Sequence, residues 1–401
     1  VLKFVKTAVV LAMSATAGPV AAAIPGLPKA TEAQASLAEV IAYDMPGVKG
    51  YPVKATAMLF LPKGPAPAGG YNLIAYAHGT SGQAAFCAPT ESLKRGGPWE
   101  SVHDQNGDYI AWLLQNGFAV VAPDLEGMGP PGVVPSYGHP YYNRSSEGKS
   151  MVWAVMAAKA ELGDRLSGAW AADGLSEGGF AALSAASEAG AATGVGMNFL
   201  GAAAVAPVLR VPEIYRTTWG QINRSNQTSQ SEDDIGPVVF MNAEIAYLYK
   251  SAHLAGYTIK AAELFRSRML ERLKDDKCLD QDNQEIDSEI LASQKAGGKL
   301  IDWPGTYGAG RLPFELVWFM TDNQGYFEAH KLPGKILFVQ GDADDTTPIR
   351  IGRDAAAGIR RAGTDLQYVE LKNVGHYAAP MAGRDAILAF YRQLFSSNSA
   401  P

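Results

Sequence analysis

Gly174-Leu175-Ser176-Glu177-Gly178-Gly179 is the stretch on which the reading of this chain turns. A short apolar run at 168–172 precedes it, and an alanine-rich helical pattern at 179–189 follows. A strand that passes through G-x-S-x-G into a helix must turn sharply, and glycines two before and two after the serine permit that turn while pushing the hydroxyl outward. The same serine could also serve as an ordinary helix N-cap. Partners elsewhere in the chain separate the two readings.

On either side, apolar runs alternate with helical patterns. Strands are expected at 72–77, 118–122, 168–172 and 199–206, and helices at 108–116, 147–162 and 179–189. Such alternation predicts βαβ units around a mostly parallel sheet, an α/β class. Ahead of it, 39–43 and 55–61, separated by Pro46-Gly47 and Gly50, read as an antiparallel hairpin or meander. The rhythm breaks after Pro212. Helical patterns at 244–254 and 259–274, an acidic stretch at 275–289 and an aromatic stretch at 314–327 follow, before a strand at 335–340, a helix at 349–362, a strand at 366–371 and a helix at 385–395. The expected organisation is a core at 24–211, an insertion at 212–332 and the rest of the core at 333–401.

A serine hydroxyl needs a base, usually a histidine oriented by a carboxylate. Of the six histidines, His376 follows the last strand closely, and the order serine, acid, histidine is the one this kind of elbow uses. His78 stands at a strand end, His253 and His330 in or beside the insertion, and His103 and His139 in early loops; these read as structural. For the acid, the strand at 336–340 runs into Gly341-Asp342-Ala343-Asp344-Asp345-Thr346-Thr347-Pro348. The loop form G-x-x-D-x-x-x-P selects Asp344, with Asp342 next, and leaves the other carboxylates as turn or cap residues. Negative charge on a reacting carbonyl needs preorganised N–H donors. The expected donors are the backbone N–H of Glu177 and that of Thr80, in His78-Gly79-Thr80-Ser81-Gly82. The Glu177 carboxylate must then point away from that hole, because a like charge there would oppose the reaction.

Composition sets bounds on the rest. The chain has 401 residues, 47% hydrophobic and 18% charged, so it can bury a large core and is no polyelectrolyte. With 34 basic and 40 acidic residues, a net charge of −6 and no basic run, a nucleic-acid partner is not expected. Lys3 and Lys6, the apolar stretch after them and Ala21-Ala22-Ala23 have the layout of a secretory signal peptide over 1–23. Its apolar stretch is shorter than the roughly 20 residues of a membrane span. An exported product, secreted or periplasmic and without a transmembrane segment in its mature part, is expected. Cys87 and Cys278 lie too far apart in sequence for a local metal hook. Export permits a disulfide between them, the alternative being two separate buried thiols.

These motifs resemble the α/β-hydrolase superfamily over nearly the whole chain. Within it, His78-Gly79-Thr80-Ser81-Gly82 with Cys87-Ala88-Pro89, then Ala122-Pro123-Asp124-Leu125-Glu126-Gly127-Met128-Gly129, then the Ser176 elbow, look like the secretory lipase family, the Candida antarctica lipase A-like group. That resemblance implies carboxylic ester hydrolysis by Ser176, Asp344 and His376, no metal or other cofactor, a small-molecule or lipid ester as substrate, and a helical cap inserted before the acid strand. The chain departs from the pattern in carrying Glu177 where Gln or Gly is frequent, and in lacking the extra glycines of the HGGG esterases. Aromatic residues of the insertion, among them Phe240, Tyr247, Phe265, Phe314, Trp318 and Phe327, would either line an acyl-binding passage or form the insertion's own core. A serine peptidase or acyltransferase on the same fold is the alternative activity, and a silent binding module a more distant one.

Overall fold

The structure, a computed structural model, describes residues 22–95, 99–225, 235–297, 305–306 and 312–397. Most of the expected signal peptide, residues 1–21, lies outside them. Nine strands form one sheet: β1 (Ala22–Ala23), β2 (Ala35–Pro46), β3 (Pro52–Pro62), β4 (Tyr71–Ala77), β5 (Ala119–Pro123), β6 (Leu166–Leu175), β7 (Asn198–Val205), β8 (Lys335–Gly341) and β9 (Asp365–Leu371). Their order is β1-β2-β3-β5-β4-β6-β7-β8-β9. Pairing is antiparallel from β1 through β3 to β5 and parallel from β5 to β9. Helices α1 (Trp99–Gln115), α2 (Arg144–Leu162) and α3 (Glu177–Glu188) alternate with the central strands. Between β7 and β8 come α4 (Val211–Ser225), α5 (Ile235–Leu254), α6 (Leu279–Lys295) and α7 (Phe314–Gln324); α8 (Ile349–Arg361) and α9 (Ala379–Ser397) follow β8 and β9.

The sheet has an apolar layer on each face, and β4 shows how the sequence specifies both. Leu73, Ala75 and Ala77 point into one layer, with Met151 of α2, Phe180 of α3 and Ile359 of α8. Ile74 and Tyr76 point into the other, with Ile110 and Leu113 of α1 and Phe390 and Tyr391 of α9. A strand covered on both faces reads as a continuous apolar run, which is what a parallel α/β sheet requires. This is the α/β-hydrolase fold.

Differences from expectation trace to contacts between elements. Strand β6 extends beyond residue 172 because the hydroxyls of Tyr109 and Tyr391, each at 2.6 Å, donate to the buried Asp173. Burial raises that carboxyl to about 7. Helix α1 starts nine residues before the expected 108, so His103 lies in a helix and not in a loop. Gly107 is tolerated there because the segment at Pro28–Thr31 packs on it: an added Cβ would meet Pro28 Cγ at 2.8 Å, and Thr31 Oγ1 donates to the Gly107 carbonyl at 2.9 Å. The expected helix at 259–274 is two short ones, Ala261–Leu264 and Ser267–Arg272, parted where Phe265 bridges Thr306. The acidic stretch becomes α6, steadied by Arg272 against Asp282, Glu285 and Glu289.

Among the described residues, the segment between β7 and β8 adds no strand to the sheet. It is fastened to the loop after β4 by a Cys87–Cys278 disulfide and by two backbone bonds, Gln83 N–H to Lys277 O and Leu279 N–H to Ser81 O, both 2.9 Å. Gly82 sits under this strap at φ +127°, where an added Cβ would stand 2.6 Å from the Lys277 carbonyl oxygen. Tyr247, Phe265, Phe319 and Phe327 are buried in the same apolar layer as β4, whereas Phe314 and Trp318 are 67% and 52% exposed. No helix of the described residues is long and apolar enough to cross a membrane.

Candidate active site

Strand β6 runs directly into α3 through Ser176, whose φ of +62° and ψ of −118° lie where a side chain is strained. Such a conformation costs roughly 1–3 kcal/mol and persists only when neighbours over-determine it. Here Ser176 N–H donates to Val205 O at 2.9 Å, and Ser176 O accepts from Phe180 and Val208 at 3.1 and 3.2 Å. Gly178 completes the turn: an added Cβ would stand 2.7 Å from the His78 carbonyl oxygen, so only glycine lets β4 and the elbow meet. Ser176 occupies the N-cap position of α3, yet its side chain makes no capping bond. The hydroxyl is not consumed by the helix. It lines a cavity of about 280 Å³ together with Gly79, Thr80, Phe240, Asp280 and Tyr377.

Asp344 and His376 come together from the loops after β8 and β9. His376 Nδ1 is 2.8 Å from Asp344 Oδ2, and both residues are buried. A carboxylate accepting at Nδ1 fixes the tautomer with its lone pair on Nε2. Asp344 is itself held: Oδ1 accepts from the N–H groups of Thr346 and Thr347 at 3.0 and 2.7 Å, and Oδ2 from Thr347 Oγ1 at 2.8 Å. The rival carboxylates go elsewhere. Asp342 accepts from Asn373 N–H at 2.6 Å, bracing the loop before His376, and Asp345 is exposed. Thr347 was not singled out from the sequence, although its place three residues after Asp344 puts it within reach of that side chain.

On the opposite flank, Gly79 and Thr80 pass beside the elbow, an added Gly79 Cβ standing 3.6 Å from Ser176 Cβ. Tyr141 clamps this loop: its hydroxyl donates to Gly82 O at 2.7 Å and accepts from Gly82 N–H at 2.8 Å. Among the described residues no hydrogen bond engages the N–H of Thr80 or of Glu177. The Glu177 side chain turns into the interior, where Oε1 lies 2.8 Å from His139 Nε2; Glu147 Oε1 is 3.8 Å from the same nitrogen. His139, Glu147 and Glu177 are fully buried and Glu244 of α5 nearly so. Burial raises Glu147 to about 8 and Glu244 to about 7, and raises Glu177 well above the ordinary carboxyl range, with the charge of Glu244 adding to the effect. This cluster was not foreseen. His139 read as an ordinary loop residue, and nothing local in the sequence ties Glu147 or Glu244 to Glu177.

Two further motif residues are architectural. Asp124 accepts from Thr56 Oγ1 at 2.5 Å and from Thr90 N–H at 3.0 Å, and Glu126 accepts from Val48 N–H at 2.8 Å and from the Tyr137 and Ser146 hydroxyls. A second cavity, of about 450 Å³, adjoins the first at Phe240, Asn283 and Tyr377 and is walled by Val211, Ile214, Tyr215 and Met241. The insertion's aromatics therefore divide, Phe240 serving the cavities and Tyr247, Phe265 and Phe327 the core.

No protein-family model and no curated protein matches the chain in sequence. Solved structures do match in shape. A rice cell wall degrading esterase, LipA, of Xanthomonas oryzae superposes with a TM-score of 0.69 at 15% identity, covering 95% of this chain and 98% of that one. A Legionella pneumophila protein of solved structure gives 0.69 at 15%, covering 96% and 99%. Lipase A of Candida antarctica in its closed state gives 0.66 at 15%, covering 95% and 82%. At such identities the likeness establishes the shared fold.

Proposed function

We propose that this protein is a serine carboxylic ester hydrolase of the lipase or esterase type. The observation that carries the reading is a buried His376, held by Asp344 through Nδ1, beside Tyr377, which lines the same cavity as the uncommitted hydroxyl of Ser176. The fold shared with an esterase and a lipase supports it. In this reading His376 Nε2 takes the Ser176 proton as the serine attacks the ester carbonyl. The oxyanion lies against the N–H groups of Thr80 and Glu177, and His376 returns the proton to the departing alcohol. Water then attacks the acyl-enzyme by the same route and frees the acid.

The helices between β7 and β8 act as a cap over the core. The apolar walls of the larger cavity suit the acyl part, and the polar rim formed by Asp280, Gln281 and Asn283 suits the alcohol. The leader over 1–23 directs export to the periplasm or the medium. A chain-length series of p-nitrophenyl esters, run beside peptide anilides, tests the activity. Esters should turn over and anilides not, and Ser176→Ala should lose at least about 10³-fold in kcat while keeping the wild-type Tm. A Ser176→Ala protein that keeps near-normal turnover, or preferential cleavage of anilides, would overturn the proposal.

A further inference from the structure

We propose that Glu177 works as a neutral carboxylic acid that shares its proton with His139 and so positions the Thr80 side of the oxyanion hole. The inference rests on the ester-hydrolysis reading for what the hole does, and on geometry for where the proton lies.

His139 Nδ1 is 2.7 Å from the carbonyl oxygen of Glu126. A carbonyl only accepts, so Nδ1 carries hydrogen, and in a neutral ring Nε2 is then a lone pair. Glu177 Oε1 stands 2.8 Å from that lone pair, a separation two acceptors do not adopt without a proton between them. Either Glu177 is protonated, or His139 is a cation facing an anion. Both side chains are fully buried, and an ion pair there must strip water from two charges, a penalty that its attraction offsets only when further hydrogen bonds satisfy both partners. Such bonds are scarce on the carboxyl: among the described residues Glu177 Oε2 has no hydrogen-bond partner, so an anion there would leave a buried oxygen unpaired.

Among the described residues the surroundings offer no compensating cation. Glu177 is faced by His139 from the loop before α2, Glu147 from α2, Glu244 from α5, and the hydroxyls of Thr80, Tyr141 and Tyr142. Among the described residues no lysine or arginine is in ion-pair contact with Glu147, Glu177 or Glu244. An anion at Glu177 would also lie one residue from the charge that develops on the substrate. Burial, with Glu244 beside it, pushes the carboxyl well above its ordinary range, in agreement with the geometry.

A bound metal would be the other way to reconcile these groups, since donor atoms of His139, Glu147 and Glu177 lie within 4.8 Å of one another. Ligands held at 2.0–2.1 Å around a tetrahedral ion stand about 3.3 Å apart. The 2.8 Å contact is too short for that and ordinary for a shared proton. The consequence reaches the hole through Tyr141, whose ring stands edge-on to His139 at 4.5 Å between centroids and whose hydroxyl holds Gly82 in the loop that carries Thr80. Glu177 thus bears on both donors, one by its own main chain and the other through His139 and Tyr141.

Infrared difference spectra of wild type and Glu177→Gln at pH 7 locate the proton. A carboxylic acid carbonyl band present in wild type and missing from the variant is expected; a carboxylate band in its place would overturn the neutral acid. Kinetics on a p-nitrophenyl ester test the positioning. Glu177→Ala should lower kcat about tenfold or more with KM within twofold, and Glu177→Gln should recover most of that loss. Equal rates for the two variants, or a Glu177→Ala kcat within twofold of wild type, would overturn it. So would stoichiometric metal in the purified protein whose removal costs activity. A wild type that hydrolyses no ester would remove the ester reading and the positioning with it, while the infrared band would still decide the proton.

Discussion

On the Asp344 side of Ser176, the carboxylate accepts from two backbone N–H groups, a threonine hydroxyl and His376. On the Thr80 side, the carboxyls of Glu177 and Glu244 and the Thr80 hydroxyl face one another with atoms that lack aligned partners. Both flanks are buried, so the difference is in how charge is accommodated. Donors saturate the Asp344 carboxyl and fix where it meets His376. Burial with few donors raises Glu147, Glu177 and Glu244, which on the proposed reading disfavours negative charge beside the oxyanion hole.

The largest expected effect breaks the first flank. Asp344→Asn keeps the shape but offers His376 Nδ1 a donor, which favours the wrong tautomer, and kcat should fall on the order of 10⁴-fold with KM little changed. A loss under tenfold would mean that Asp342 or another carboxylate orients the histidine.

A smaller effect sharpens the second flank. Glu147 and Glu244 of this flank, and Asp173 on the far face of the sheet, hold protons in the fold up to about 8, about 7 and about 7, against ordinary values of 4.5, 4.5 and 3.8. Between those limits the folded chain binds more protons than the unfolded one, so stability is greatest at the acidic end and declines as pH rises. Thermal unfolding should therefore show Tm falling by several degrees from pH 5.5 to 9, with a shallower slope in Glu147→Gln. A Tm that rises over this range would place these carboxyls in the ionised state.

The two flanks also differ in how far sequence reached them. The elbow, Asp344 and His376 sit at strand ends, where a run of apolar residues and a local G-x-S-x-G or G-x-x-D-x-x-x-P spacing mark both the element and the residue. The expectation for Thr80 came from the same kind of signal, the loop after β4. The glutamate cluster was not, because Glu147, Glu177 and Glu244 belong to three helices that meet only after the sheet is wound, and the local motif that marks Glu177 as a main-chain donor says nothing of what its side chain meets. Asp173 cut the predicted β6 short for the same reason: its partners, Tyr109 and Tyr391, are 64 and 218 residues away. Patterning carries the layers of a fold, while buried polar pairing is a tertiary property that local periodicity does not encode.

The most direct measurement is intact-mass analysis after a fluorophosphonate probe, followed by peptide mapping. One probe mass should be added per chain and map to Ser176, with no label on Ser176→Ala and strongly slowed labelling on Asp344→Asn. An unlabelled wild type, or a label on any other residue, would contradict the account.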